Sequence, residues 1–325
     1  MVALPSRRAQ EKGRIIGFSS KDEGSCPYIG YYQKGSMMNQ YFFAARNICD
    51  KLLKVIGDWE TFKFYWQTYV LSRFDNVEPD VYIVSYPKCG RTWLRVMLQK
   101  YLQRRGIPLQ YFNDRSLLSV SGEKTIKFEH DQGNWVPAPM RMDQLRFNTA
   151  KYAGRKVVFL VRDPRDVLVS SWYHLKYRER IYQKGLAEFI RDDLVGIHKV
   201  VAFMNMWVEH SHVPVDFCLI TYEQLHRDTP ASLEHLLEFM GFEVESDALH
   251  YAVEASSFKE MKQMELEGSL KEPWMKPGVR NLENSLKVRR GRIGGFKENL
   301  SEEDIEYLNE VIRNKLSSRL SFYDT

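Results

Sequence analysis

The stretch VSYPKCGRTW, residues 84–93, carries an apolar run into Pro87, Lys88, Gly90 and Thr92 before helical spacing of apolar residues resumes. A strand that passes through such a loop into a helix lines up successive backbone N–H groups at the positive helix terminus. Lys88 adds a cation there and the Thr92 hydroxyl a further donor. These residue types in this order can hold an anion; the competing reading is an ordinary strand-to-helix turn with a surface lysine. The ATPase loop G-x-x-x-x-G-K-[ST] does not fit, because no glycine stands at the earlier position and no lysine follows Gly90.

A second candidate is VVFLVRDPRDVLVSS, residues 157–171. An apolar strand ending in an acid is superficially like the magnesium-binding strand of ATPases, but here Arg162 stands at the strand exit and Ser170 about two turns into the next helix. The pair offers a guanidinium fork and a hydroxyl to a phosphate. Arg162 alone reads equally well as a structural ion-pair partner. The late run KVRRGR, residues 287–292, reads by itself as a solvated charged face. His130 stands next to last in the segment TIKFEHD, and an unperturbed imidazole, titrating near pH ~6.5, can take a proton in neutral water. Glu129 and His130 point to opposite faces of a strand, so only one of them reaches a shared reactant. Asp131 is a candidate to orient the imidazole, as in a carboxylate–histidine pair.

The period of the apolar residues gives the elements that must position these groups. DVYIVSYP reads as a buried strand, and the helix after Gly90 puts Trp93, Met97 and Tyr101 on one face and ends near Gly106. TIKFEHD and VVFLV read as further strands. After the latter, Asp163 caps a helix, Pro164 takes its first position and Asp166 puts negative charge in its first turn. VDFCLITYEQL repeats the apolar strand, and TPASLEHLLEFMG is a helix closed by Gly241. Strands alternating with helices predict an α/β fold with a central parallel sheet flanked by helices, over residues 78–325. Ligands of such sheets bind beyond the carboxyl ends of the strands, which here carry Lys88, His130, Arg162 and Tyr222. Residues 1–77 are read as an N-terminal extension, irregular at first and then helical.

Composition narrows the classes. A chain of 325 residues with 44% apolar and 27% charged content can bury a large core. The net charge of +5 is mild, so it suits an anionic ligand without demanding nucleic acid. Cys26, Cys49, Cys89 and Cys218 show neither zinc spacing nor the density of a disulfide scaffold, which predicts reduced thiols and a cytoplasmic protein. The first residues lack the apolar core of a signal peptide and no stretch approaches the ~20 apolar residues of a membrane helix, so no membrane span is expected.

Taken together, these segments resemble the sulfotransferases that use 3′-phosphoadenosine 5′-phosphosulfate (PAPS). Tyr86, Pro87, Lys88, Gly90, Thr92 and Trp93 match the family's Tyr-Pro-Lys-Ser-Gly-Thr-Thr-Trp, and Arg162 through Ser170 match its Arg-(Asn/Asp)-Pro-(Lys/Arg)-Asp-x-x-x-Ser. The likeness continues through TYEQL at Tyr222, SSFKEMK with Phe258 and Met261, and KVRRGRIGGFKENLS, and covers roughly residues 78–315. It implies a single P-loop-like domain with PAPS as donor, PAP as product and no metal requirement. The acceptor would be a small molecule offering a hydroxyl, or as second choice an amine.

By the same resemblance, the loop Lys88, Cys89, Gly90, Arg91, Thr92 and Trp93 wraps the donor's 5′-phosphate, with Lys88 at the bridging oxygen. That role explains a lysine ahead of the glycine. Arg162 and Ser170 hold the 3′-phosphate together with Arg289, Arg290 and Gly291. Trp93 and Phe258 sandwich the adenine, Met261 belongs to the same motif, Tyr222 bonds the purine or a neighbouring group, and His130 is the general base. The acceptor pocket is expected from residues 130–145, 174–195 and 262–285, with Trp135, Tyr173, Tyr177, Phe189 and Trp274. Alternatives are a P-loop kinase-like phosphotransferase and a non-catalytic nucleotide-binding module. Cys89 and Arg91 depart from the family's Ser and Thr, and KFEHD from its Lys-Thr-His, which points to a bacterial-type branch. The C-terminal Lys-Thr-Val pairing motif of animal members is not visible, and oligomeric state stays open.

Overall fold

A computed structural model describes residues 78–111, 117–120, 124–135, 140–268 and 283–324; the expected N-terminal extension lies outside them. Its strands are β1 (Val81–Val84), β2 (Leu109–Tyr111), β3 (Leu117–Val120), β4 (Lys124–Glu129), β5 (Lys156–Val161) and β6 (Asp216–Thr221). They form one sheet in the order β2-β3-β4-β1-β5-β6. The central four, β4-β1-β5-β6, are parallel, and β2 and β3 add an antiparallel edge next to β4. β1 is buried along its whole length and β5 from Val157 onward, because the parallel part is covered on both faces.

The principal helices are α1 (Arg91–Arg104), α2 (Pro164–Tyr173), α3 (Ile197–Glu209), α4 (Thr229–Phe239), α5 (Ser246–Ala255), α6 (Phe258–Glu267) and α7 (Glu302–Lys315). In α1, Leu94, Met97, Leu98 and Tyr101 are fully buried, as the helical spacing requires. α2 starts as its sequence dictates: the Asp163 carboxylate accepts from the Arg165 N–H (2.9 Å) and Pro164 occupies the first turn. It runs on into a π-helical turn, His174–Arg178, of a kind often found at functional sites. α3 lays Phe203 and Trp207 against the sheet, with Trp207 stacked 5.5 Å from Phe159 and Phe203 5.4 Å from Tyr86. Each such aromatic burial contributes about 1.5–3 kcal/mol.

Register sets the site. Val84 pairs with Glu129, which brings Ser85 level with His130, and Val161 pairs with Thr221, which brings Arg162 level with Tyr222. The four residues leave the sheet at the same edge. Among the described residues no helix is long and apolar enough to cross a membrane.

Candidate active site

Beyond this edge lies a cavity of about 430 Å³, lined by Lys88, Gly90, Arg91, Thr92, Trp93, His130, Arg162, Ser170, Tyr222, Phe258, Met261, Arg289, Arg290 and Gly291. Every residue expected to bind the donor or to act as base lines it except Cys89. The Cys89 side chain turns into the core, where burial pushes its thiol up to about 12, so within the loop it offers only its backbone.

The loop has the backbone of an anion cradle. Lys88 has φ 72° and Gly90 φ 99°, and Gly90 opens α1 with no acid in its first turn. A Cβ on Gly90 would stand 2.6 Å from the Tyr222 ring, so glycine is needed both for the turn and for this approach. The Arg162 guanidinium lies 4.3 Å over the other partner of that contact, the Tyr222 ring. Its Nη2 donates to the Arg292 carbonyl (2.8 Å) and sits 3.4 Å from Asp166, while Nη1 donates to the Lys88 carbonyl (3.4 Å). Tyr222 thus packs Gly90 and Arg162 together. The Trp93 indole N–H donates to the Ser256 carbonyl (2.9 Å), fixing the ring edge-on to Tyr222.

The late basic run folds over the same cavity through two buried acids. Asp166, expected only as first-turn charge, accepts from the N–H groups of Gly294 (2.8 Å) and Phe296 (3.0 Å). Glu265, fully buried, accepts from the N–H groups of Lys287 (2.7 Å) and Val288 (2.8 Å) and from the Arg178 guanidinium (2.8 Å). Gly291, at φ 61°, lets the chain pass so close to Phe258 that a Cβ would meet its ring at 2.5 Å. Arg289 sits 3.6 Å over the Tyr173 ring, whereas Arg290 is half-exposed and paired with Glu298 (2.6 Å).

Sequence reasoning singled out neither Lys287 nor His174, both of which line the cavity, although His174 opens the 174–195 stretch expected at the acceptor. Their signals were present: Lys287 opens the basic run, and His174 falls four residues after Ser170, on the same helical face. Of the aromatics expected at the acceptor, Trp135 lines the cavity. Tyr173 instead carries Arg289, with Tyr177 stacked on it at 5.7 Å, and Phe189 is fully buried in the core. Trp274 lies outside the described residues.

At the end of β4 the two neighbours part. His130 faces the cavity. Glu129 faces away, accepting from the Tyr152 hydroxyl (2.6 Å) and the Lys151 ammonium (2.8 Å). Asp131 does not orient the imidazole: it joins the Glu129 group, 3.9 Å from Lys151, and His130 Nδ1 is bonded instead to the Ser85 carbonyl at 2.9 Å. The reason is local geometry, since Asp131 takes φ 46° and turns back under the strand. A carbonyl only accepts, so Nδ1 carries the proton and Nε2 keeps its lone pair. Burial, then the charges of Arg91, Lys287 and Arg95, hold the imidazole well below its usual range, despite the Ser85 bond. Burial and the charges of Arg178, Arg162 and Arg289 bring Lys88 down to about 7, against the opposing pull of Glu265.

A sulfotransferase domain profile matches residues 78–319, about three-quarters of the sequence. The chain belongs to the sulfotransferase family. Members of the family are transferases, and this sulfotransferase is one. It is 24% identical to cytosolic sulfotransferase 12 of Arabidopsis thaliana over 75% of its own length and 79% of that protein's. It is also 24% identical to the flavonol 3-sulfotransferase of Flaveria bidentis (74% and 82%) and to the 3-beta-hydroxysteroid sulfotransferase of Cavia porcellus (76% and 87%). A mouse sulfotransferase, SULT7A1, complexed with PAP shares the fold with a TM-score of 0.54 at 20% identity, over 77% of this chain and 88% of that one. Retinol dehydratase in complex with androsterone and PAP gives 0.54 at 15% identity (79% and 86%).

Proposed function

We propose that the cavity takes PAPS and that the sulfotransferase moves its sulfuryl group to a hydroxyl of a small molecule, with His130 as general base. The observation that carries this reading is charge: Lys88, Arg91, Arg162, Lys287, Arg289, Arg290 and Arg292 line one cavity whose only acid among the described lining residues is Asp166. A polyanion fits it. Arg91 Nη1, Arg162 Nε and Arg289 Nη1 are buried with no hydrogen-bond partner among the described residues, and a buried unpaired guanidinium nitrogen carries a penalty that phosphate oxygens remove.

The backbone N–H groups of residues 88–92 and the Thr92 hydroxyl would hold the 5′-phosphate, and Arg162, Ser170 and Arg289 the 3′-phosphate. Trp93 and Phe258 would flank the adenine. When bound, PAPS supplies an activated sulfuryl group on a phosphosulfate anhydride. Lys88 holds positive charge at the loop, where a departing phosphate oxygen gains charge, which is a transition-state role. His130 Nε2, with its lone pair free while Nδ1–H is bound to Ser85, takes the proton of the acceptor hydroxyl. A sulfuryl group carries less negative charge than a terminal phosphoryl, so positioning and fixed cations are suited to the step.

Thermal-shift titration with PAP, AMP and magnesium–ATP tests the donor, because a ligand that binds the native state stabilises it. The expected result is the largest stabilisation by PAP, without added metal. A preference for magnesium–ATP would overturn the reading.

A further inference from the structure

We propose that Lys151 is a positioning residue for His130: its one ammonium ties the side chains on either side of the base, Glu129 and Asp131, behind β4 and so fixes the direction of the imidazole. This rests on the reading of His130 as general base. Lys151 Nζ stands 2.8 Å from Glu129 Oε2 and 3.9 Å from Asp131 Oδ1, and both carboxylates are nearly sealed from water, with side chains 12% and 8% exposed. The main chain between them is tied as well. The Ser85 N–H donates to the Glu129 carbonyl (3.3 Å) and the Gly133 N–H to the His130 carbonyl (2.8 Å). A rotation of the His130 backbone that swings the ring must therefore drag a buried carboxylate away from Lys151.

The tie is anchored in the core. Lys151 belongs to the short helix Thr149–Tyr152, where its N–H donates to the Asn148 side chain (3.1 Å). Its neighbour Tyr152 is fully buried, with its ring 5.1 Å from that of Tyr82 in β1 and 4.7 Å from that of Trp207 in α3. The Tyr152 hydroxyl supplies the second bond to Glu129 (2.6 Å). The ammonium itself lies 5.5 Å from the centre of the Tyr82 ring and 5.0 Å from that of Tyr152. Two carboxylates, two aromatic rings and one cation thus converge directly behind the base.

A cation is needed at this point because the two acids repel each other. Asp131 turns back toward Glu129 on a left-handed backbone, φ 46°, and its Oδ2 is buried with no hydrogen-bond partner among the described residues. Burial and the charge of Glu129 push its carboxyl up to about 6, against the pull of Lys151. Without the ammonium the acids are driven apart, and the residue between them is His130. Glu129→Gln is a milder change, since its oxygen still accepts from Tyr152 and Lys151 and the repulsion is gone. Aim matters to the base in a specific way: Ser85 holds the proton on Nδ1 only while the ring points at its carbonyl, 2.9 Å away. A neutral imidazole released from that bond exchanges between its two tautomers, and Nε2 then carries the proton part of the time.

The test reads that tautomer by NMR of ¹⁵N-histidine-labelled protein at neutral pH, with the His130 signal among the eight imidazoles assigned by its loss in His130→Ala. Wild-type protein is expected to show His130 as the single Nδ1–H tautomer. Lys151→Met is expected to shift it to an average of the two forms while the other seven signals stay in place, and Lys151→Arg to restore the wild-type signal. PAP affinity, which reports an intact fold, is expected to stay within about threefold in both. Tyr152→Phe keeps the buried ring and removes one bond to Glu129, so it should shift the signal in the same direction by less; if Lys151→Met does not give folded protein, this variant decides alone. An unchanged His130 tautomer in the folded variants overturns the proposal and leaves Lys151 a purely structural partner, as does a mixed tautomer in wild-type protein. Full turnover in His130→Ala would instead bring down the reading of His130 as base, whatever its tautomer.

Discussion

Two strand ends on either side of β1 handle charge in opposite ways. At the end of β5, Arg162 is held by the Lys88 and Arg292 carbonyls, by Asp166 and by the Tyr222 ring, so its fork is fixed before any ligand arrives. At the end of β4, the His130 imidazole is bonded to the Ser85 carbonyl and is otherwise defined by burial and by cations that disfavour its protonation. The first end is built to bind and the second to keep a lone pair available. Preorganisation by carbonyls leaves a guanidinium charged, whereas desolvation keeps an imidazole neutral.

The comparison breaks first, and with the largest effect, at His130. Replacement by Ala is expected to lower turnover by about 10²–10⁴-fold, the usual weight of a positioned base, with PAP affinity little changed. Glu129→Gln is expected to keep most of the turnover, because its carboxylate serves Lys151 and Tyr152 behind the strand, and to appear instead as a lower melting temperature. Steady-state kinetics on both variants decide; an inactive Glu129→Gln beside an active His130→Ala would reverse the assignment. Lys88 comes next. If it neutralises a leaving oxygen, Lys88→Ala should cost turnover about 10²–10³-fold while PAP binding weakens far less. Equal losses in turnover and in PAP affinity would make Lys88 a binding residue alone.

What could be read from the sequence was local. The loop after β1, the Asp163–Pro164 start of α2 and the spacing of Arg162 and Ser170 are written in runs of a few residues, and the structure builds them as the spacing predicts. What escaped depends on distant packing. Glu265 meets the backbone of Lys287 and Val288 more than twenty positions away, and only that latch aims the basic run at the cavity. Charge counting saw in KVRRGR a solvated face, which remains true of Arg290 and Arg292, both paired with Glu298. The inward turn of Cys89, the burial of Phe189 and the left-handed turn at Asp131 likewise follow from neighbours that no short window contains. The antiparallel edge of β2 and β3 was hidden for the opposite reason: strands of three and four residues carry too little period to register.

A smaller effect sharpens the contrast from the β5 side. Arg162→Ala removes charge-assisted contacts worth about 1.5–3 kcal/mol, which is about a tenfold or greater rise in the PAP dissociation constant. The same change should leave AMP affinity nearly unaltered, since AMP lacks the 3′-phosphate. Calorimetry with the two nucleotides checks it, and a parallel fall in both would place Arg162 outside the 3′-phosphate site.

The smallest expected signal is a count of protons. With Lys88 brought down to about 7, largely by burial and by the cations around it, most of its ammonium is lost at pH 8 in the donor-free protein. A bound polyanion favours the charged form and raises that pKa, so PAP binding must take up protons, in amounts that grow as pH rises from about 6 to 8. The sign at pH 8 is clean because a phosphate monoester, with its second pKa near ~6, is already fully ionised there and releases nothing. Lys287, held well below its usual range by burial and by Lys88, adds uptake of the same sign. Lys88→Ala separates the two, and it should reduce uptake at pH 8 by about one proton per PAP. Calorimetric titration in buffers of different ionisation enthalpy measures this number directly. No uptake in wild-type protein, or equal uptake in Lys88→Ala, would mean that Lys88 is fully charged before the donor arrives. The loop would then hold its cation as firmly as β5 holds Arg162.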